Sequence, residues 1–414
     1  MSLPSHIDIA IIGAGAAGLG AAHALQSSGH STLILEARER VGGRSQTLSL
    51  PGNVIFDVGC GWLHSADKNP FVTIADKLGF AINKHRPPWQ QQTFDAGFPR
   101  AEREEFLAAL DDFFERADDA AEEGTDRPAS DFLIPGNRWN AQIDAVSTYI
   151  NGCELDQVSI HDMAEYEDTE VNWRVTKGYG ALIAAYGAAC TLALGTRVAL
   201  IDHSGQRVVL HTSRGTLTAD KVIVTVSTDL LAQEKIRFTP SLPDKVSAAG
   251  GLPLGLADKV MLALETPDDL PADGNLRGRS GIVKTGAYHL RPQGMACIEG
   301  YFGGSFAREL EDAGEGALAQ AAIDEIAGLL GNDYRKKLTP LGSSRWAHDE
   351  FALGSYSHAL PGHADDRAVL AAPVDGRLFF AGEATSPNFF STAHGALESG
   401  FRAAKEVIAS RADR

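Results

Sequence analysis

The chain has 414 residues, 44% of them hydrophobic and 22% charged, with a formal net charge of −17. That length exceeds one ordinary core and suits two domains, and the acidity argues against nucleic acid as a partner. No apolar run is long enough to span a membrane and no basic-plus-apolar leader precedes the first strand, so a cytoplasmic protein is expected; Cys60, Cys153, Cys190 and Cys297 are too scattered for a C-x-x-C pair or a zinc site.

The first element is Ile7 to Ile12, a short, largely apolar run that reads as a buried strand. Gly13, Gly15 and Gly18 follow in G-x-G-x-x-G spacing, then a small-residue helix from Ala16 to Ser28 that Gly29 can end. A second strand, Ser31 to Leu35, finishes at Glu36. Together these form a βαβ dinucleotide fingerprint. The first glycine permits a tight turn, the second lets a pyrophosphate approach the backbone, and the third lets the helix pack on the strand. The pyrophosphate would rest on free N–H groups at the positive end of the helix. Glu36, 18 residues past Gly18, can accept hydrogen bonds from both ribose hydroxyls. Arg40-Val41-Gly42-Gly43-Arg44 adds two glycines that expose backbone, and a cation with a planar fork suited to phosphate.

The fingerprint with its R-x-G-G-R run resembles the FAD-containing amine oxidase superfamily. That group includes monoamine and polyamine oxidases, histone-demethylating amine oxidases, protoporphyrinogen oxidase and carotenoid desaturases. Thr47 to Phe56 reads as a strand turning at Pro51-Gly52-Asn53. Beyond it, Gly59, Trp62 and His64 form a G-x-x-W-x-H pattern that resembles the polyamine-oxidase branch. The resemblance implies a loop that passes the flavin, with His64 facing the substrate cavity. Taken alone, His64 is as well explained as a structural histidine. Asn69-Pro70 then starts a helix from Phe71 to Leu78.

From 81 to 175 the βαβ rhythm is lost. Ala101 to Glu123 has a helical pattern, with Phe106, Leu107, Leu110, Phe113 and Phe114 on one side and an acidic, solvated face on the other. Ile143 to Leu155 reads as another helix. Val158 to Glu170 carries His161, Glu165, Tyr166, Glu167, Asp168 and Glu170, and no spacing singles out one acid for the cavity. Lys177-Gly178-Tyr179-Gly180 leads a helix and resembles the family's return to its FAD domain. Strands are expected at Thr196 to Ile201, Val208 to Thr212, Gly215 to Ala219 and Lys221 to Val226. The resemblance implies that the Val198 backbone holds the adenine edge.

The segment Gly251 to Val260 places the family's flavin-facing lysine at Lys259, where an ammonium would stabilise charge developing on dioxygen. Met261 to Glu265 and Met295 to Gly300 read as strands, and Gly316 to Leu330 as a helix closed by Gly331. Gly376 to Thr385 reads as a strand ending in Gly382-Glu383, followed by a helix from Gly395 to Ala409. Its start would point N–H groups at the flavin, where negative charge grows on reduction. Phe389 to Leu397 closely resembles polyamine oxidases. Monoamine oxidases attach flavin through a Cys just before the first of two caging tyrosines. Here Ser355 precedes Tyr356, and Thr392 replaces the second tyrosine, so the cage is half-aromatic and a thioether link is unavailable.

The resemblance therefore implies an α/β chain with a discontinuous Rossmann-like FAD-binding domain (1–80, 176–250 and 352–414) and a mixed α+β substrate domain (81–175 and 251–351). It assigns to non-covalent FAD the residues Gly13, Gly15, Ala16, Ala17, Gly18, Glu36, Ala37, Arg38, Gly43, Arg44, Gly61, Trp62, Val198, Trp346, Gly382, Glu383, Thr392, Ala393 and Ala396. Lys259, Tyr356, His64 and Thr392 are the expected catalytic group, with no metal. The implied reaction takes a hydride from the carbon beside an amine nitrogen. Oxygen is the acceptor, and the substrate is a polyamine or other aliphatic amine. A monoamine oxidase, or a desaturase-type or protoporphyrinogen-type flavoenzyme, is the alternative, and a flavin-bearing sensor the reading from another class.

Overall fold

A computed structural model of the chain describes residues 3–90 and 99–410. Residues 1, 2 and 411–414 of the expected FAD-binding domain and 91–98 of the expected substrate domain lie outside the described residues. The His6–Ile12 strand is buried on both faces, as a parallel strand covered by helices should be. Ile9 and Ile11 face the Ala16–Leu25 and Ala393–Ala409 helices, while Ala10 and Ile12 face a second core with Leu210, Val222 and Leu378. The strand lies between Thr32–Leu35 and Gly215–Val224, parallel to both, in an eight-stranded sheet.

Two strands expected at Gly215 to Ala219 and Lys221 to Val226 are one continuous strand, Gly215–Val224. His6–Ile12 pairs along it from Thr218 to Val224. Only the outer neighbour changes: Val208–Thr212 runs antiparallel to its first half and Leu378–Phe380 parallel to its last three residues. The strand expected over Gly376 to Thr385 is correspondingly short, because Gly376 (φ 60°) and Gly382 (φ 141°) bend the chain at both ends. The first helix stops at Leu25 rather than Ser28. The helix expected over Ile143 to Leu155 is Asn140–Ile150. Gly152 (φ 73°) then packs its Cα against Gly255, where a Cβ would stand 2.9 Å from the Gly255 backbone.

The second sheet is antiparallel and five-stranded: Gly274–Arg277, Ala287–Leu290, Cys297–Gly303, Ala257–Leu264 and Leu338–Ser343. The first, second and last of these were not anticipated, being short and interrupted by glycine, proline or polar residues. Val260, Leu262, Ile298, Phe302 and Leu290 on one face pack with the Ala317–Leu330 helix. The alternate positions Lys259, Tyr301, Glu299 and His289 fall on the other face. The long Arg100–Glu123 helix buries Phe106 and Phe113 against Trp139, Ile143 and Ile160. No helix among the described residues is long and apolar enough to cross a membrane. All four cysteines are unpaired.

Two buried histidines make the fold acid-sensitive. Neither ring nitrogen of His358 has a hydrogen-bond partner, and burial pushes its imidazole from 6.5 down to about 4. Burial does the same to His394, down to about 3. The folded value is depressed, so the stabilisation is complete above the unfolded value and is lost as pH falls through 6.5 toward 4. The His358 share amounts to about 3 kcal/mol at full protonation. Urea unfolding at neutral pH and near pH 4.5 checks it. His358→Asn should flatten the difference, and an unchanged slope would assign the acid sensitivity elsewhere.

Candidate active site

A cavity of about 1220 Å³ runs from the βαβ turn to the polar face of the antiparallel sheet. Its first part is built by the fingerprint. Gly13 adopts φ 104° so close to Thr225 that a Cβ would stand 2.7 Å from its hydroxyl. No side chain caps the Ala16–Leu25 helix, and a Cβ on Gly15 would meet nothing within 4 Å. The first N–H groups of that helix therefore remain for a ligand. Gly18 is the one expected cofactor residue that does not line the cavity. A Cβ there would fall 1.9 Å from the Gly13 carbonyl oxygen, so Gly18 permits the helix to sit on the turn.

Glu36 is buried and held in place by two backbone donors, Ala14 N at 2.7 Å and Arg38 N at 2.8 Å. A carboxylate fixed this way presents its remaining lone pairs to the cavity. Arg40 donates to Val41 O and Gly43 O and so braces the glycine loop, while the Gly42 N–H docks on Ala14 O. Arg38 reaches away to Asp349 and lies over the Phe351 ring. Ala37 lines the cavity beside it. At Val198 the Arg237–Thr239 strand, which covers Leu200 to Asp202, leaves the backbone uncovered on that side.

The middle of the cavity is set by Arg44 and Glu383. Arg44 Nη1 donates to Glu383 Oε1 at 2.9 Å and to Ser355 O at 2.8 Å. Burial alone would raise the Glu383 carboxyl, but Arg44 and the Ser357 hydroxyl hold it below the usual range. The fork expected to reach phosphate is thus partly committed to protein. Glu383 also accepts from Ser391 N, next to the start of the Ala393–Ala409 helix. Thr392 caps that helix, accepting from Gly395 N at 3.0 Å and donating to Phe389 O at 2.6 Å. Its hydroxyl is therefore spent on the backbone, and Thr392 shapes the wall rather than offering a free group. Ala393 and Ala396 line the same wall.

Lys259 is almost fully buried, at 8% exposure. Its Nζ donates to Gly59 O at 2.6 Å and Asp57 O at 3.0 Å and lies 3.6 Å from Glu299 Oε1. Burial alone would lower its pKa, but Tyr301 and Glu299 outweigh it and raise the value. The ammonium is charged. Gly59 and Gly61 let the loop come this close: a Cβ on Gly59 would strike Arg44 O, and one on Gly61 would stand 3.1 Å from Lys259 Nζ. Trp346 closes the loop from outside, donating to Val58 O. Tyr356 donates its hydroxyl to Tyr149 O at 2.6 Å, which fixes its ring in the wall.

Burial lowers the His64 pKa, so the ring is neutral. Its Nδ1 pairs with Asn172 Oδ1 at 2.6 Å, which puts the proton on Nδ1 and leaves Nε2 as an acceptor. Beyond His64 the cavity enters a slot between the Arg100–Glu123 and Asn140–Ile150 helices, with Leu107, Leu110, Phe113, Ile143 and Val146 on its walls. Asp118, Asp168 and Glu170 line the cavity, as do Arg86, Arg103 and Arg277. The residues not anticipated are Asn172, Tyr301, Glu299 and Arg174. An acid inside the apolar run Cys297-Ile298-Glu299-Gly300 was the available signal for Glu299.

This donor set fits FAD: open helix N–H groups, a pinned acid at a strand end, glycine-lined walls and a second helix start beside Glu383. Ser355, at the thioether position, is tied to the Ala257 backbone in both directions. Acid precipitation should therefore release intact FAD into the supernatant, and flavin held in the pellet would show a covalent link. Glu36→Ala should weaken retention, since charge-assisted bonds are worth about 1.5–3 kcal/mol each.

Comparison with known proteins places the chain. A profile for flavin containing amine oxidoreductases matches residues 98–408, and one for an NAD(P)-binding Rossmann-like domain matches 11–78. The chain is 28% identical to polyamine oxidase 4 of Oryza sativa subsp. japonica over 96% of its own length and 88% of that protein. It is 26% identical to a lysine-specific histone demethylase 1 homolog from the same plant, spanning 52% of that protein. Among solved structures, cyclohexylamine oxidase from Brevibacterium oxydans superposes with a TM-score of 0.80 at 22% identity, covering 99% of this chain and 100% of the other. A redesigned putrescine oxidase superposes at 0.79 with 20% identity, covering 98% and 99%. These two show the fold. The chain belongs to the flavin-containing amine oxidoreductase family and is an FAD-dependent amine oxidase.

Proposed function

We propose that the chain oxidises an aliphatic amine, of secondary or polyamine type, with oxygen as acceptor. The observation that carries this reading is the meeting, in one cavity, of a charged Lys259, a neutral His64 and a dinucleotide cradle. FAD, held by the 13–18 turn, Glu36 and the start of the Ala393–Ala409 helix, would supply a hydride acceptor for the carbon beside a neutral amine nitrogen and a route for the electrons to dioxygen, with an imine that hydrolyses and hydrogen peroxide as products. Tyr356 and Trp62 flank the amine with aromatic surface. His64 Nε2 accepts a hydrogen bond from the substrate chain and orients it without taking a proton. The apolar slot excludes water and holds the carbon chain. Lys259 stabilises charge growing on oxygen.

The polyamine preference draws support from Trp62, His64, the 391–396 run and the named relative. Asp118, Asp168 and Glu170 offer carboxylates to a distal ammonium, in the same lining as Arg86, Arg103 and Arg277. Activity should rise with pH, because the nitrogen lone pair must be free before hydride leaves. His64→Ala should raise the Michaelis constant for polyamines more than for simple monoamines. The test is an anaerobic panel. If spermine, spermidine and their acetylated forms leave the flavin oxidised while benzylamine bleaches it, the polyamine reading falls and a monoamine oxidase stands.

A further inference from the structure

One acid, Glu299, lies at the centre of the polar sheet face and touches neither the amine nor the oxygen in the proposed reaction. Glu299 is fully buried, directly opposite His289 on one neighbouring strand and diagonal to Lys259 on the other. Arg174 Nη1 donates to its Oε2 at 2.9 Å, and Lys259 Nζ lies 3.6 Å from its Oε1. His289 Nδ1 is 3.9 Å from Oε2, and the far nitrogen of that ring reaches Asp273 at 3.0 Å. The Arg174 guanidinium lies 5.0 Å from the Trp62 ring centre, and His289 stacks on the same ring at 6.1 Å. One carboxylate thus serves two buried cations, and both cations border the cavity loop.

The other groups acting on Lys259 are Tyr301, Arg174 and Asp57, with His64 and Cys60 also within its field. Of these, Asp57 is the second anion, and its carboxylate is committed to the N–H groups of Tyr179 and Gly180 and to the Thr47 hydroxyl. Glu299 is the anion left to balance the ammonium. Burying a carboxylate on a strand is costly unless it pairs, and Glu299 pairs with Arg174 and lies against Lys259.

We propose that Glu299 is a positioning residue: its carboxylate holds the Lys259 ammonium seated on the Asp57 and Gly59 carbonyls. This rests on the reading that Lys259 serves oxygen, and the test is chosen to separate the two. Holoenzyme is photoreduced without any amine, then mixed with oxygen across a range of pH. Glu299→Gln keeps the shape and removes the charge. Wild type should react uniformly into the alkaline range. In Glu299→Gln the alkaline loss should begin about one pH unit lower, a roughly ten-fold deficit at a fixed alkaline pH. The visible spectrum of the oxidised flavin should acquire a pH-dependent shift with the same midpoint. Both changes should vanish in a Lys259→Met background, as coupling through Lys259 requires.

Glu299→Asp, which keeps the charge with a shorter reach, should give a smaller shift in the same direction and carries the test if Glu299→Gln does not fold. An unchanged profile and spectrum in the folded variant overturns the proposal. So does a loss that persists without Lys259. Photoreduced wild type that is inert to oxygen removes the oxygen reading instead, and the spectral titration still decides Glu299. Failure of every amine in the panel leaves this result standing.

Discussion

Lys259→Met is expected to slow the reaction of reduced enzyme with oxygen by about 100-fold or more, while flavin reduction by amine changes far less. The physical reason is charge held where water is excluded. Lys259 Nζ is fixed by two carbonyls and Glu299, so no reorganisation is needed when negative charge forms on oxygen nearby. Methionine keeps roughly the length and the apolar stem and removes only the ammonium. The substitution leaves Glu299 paired with Arg174, so the protein should fold. Stopped-flow measurement of the two half-reactions separates the outcomes. Equal loss in both would point to general distortion of the loop, and unchanged oxygen reactivity would remove Lys259 from the site.

The dinucleotide end was legible because its signals are local. Gly13, Gly15 and Gly18 act within one turn, and Glu36 lies at the end of the adjacent strand, so spacing alone carries the geometry. At the substrate end only the resemblance named residues, His64, Lys259, Tyr356 and Thr392, because the contacts there are made between distant segments. His64 is oriented by Asn172, 108 residues away, and Lys259 is seated by Asp57, 202 residues away. Period-two patterning could expose the polar face of the antiparallel sheet only if its strands were recognised. Gly274–Arg277 and Ala287–Leu290 are too short and too polar for that. The hydroxyl of Thr392 illustrates a different limit. Its place in the wall follows from the segment, but its use as a helix cap follows from the backbone geometry around Phe389 and Gly395. The acids of 158–170 show the same limit. Asp162, Asp168 and Glu170 all line the cavity, and Asp162, which no spacing marked, also carries structure through Arg367.

Asp162→Ala is expected to destabilise the protein by about 3–5 kcal/mol, the cost of stranding a buried cation. Asp162 and Arg367 are 3% and 4% exposed. Arg367 donates to both carboxylate oxygens, Nε to Oδ1 at 2.6 Å and Nη2 to Oδ2 at 2.8 Å, a bidentate pair of the strongest kind. Its remaining nitrogen donates to Ser357 Oγ at 3.0 Å and to Ala384 O at 3.2 Å, and its plane lies 3.7 Å from the Phe390 ring centre. Ser357 Oγ in turn donates to Glu383. The pair therefore ties the Ile160–Glu165 helix to the cofactor end through three side chains. Removing the carboxylate leaves the guanidinium with no anion at 2.6–2.8 Å and loosens the Glu383 bridge as well, so FAD retention should fall together with stability. Replacing both partners, Asp162→Leu with Arg367→Met, takes away the stranded charge and should recover most of the loss. Urea unfolding of the two single variants and the double variant measures the coupling directly. A single-variant cost under about 1 kcal/mol, the range of a solvent-exposed pair, would show that water reaches this strut.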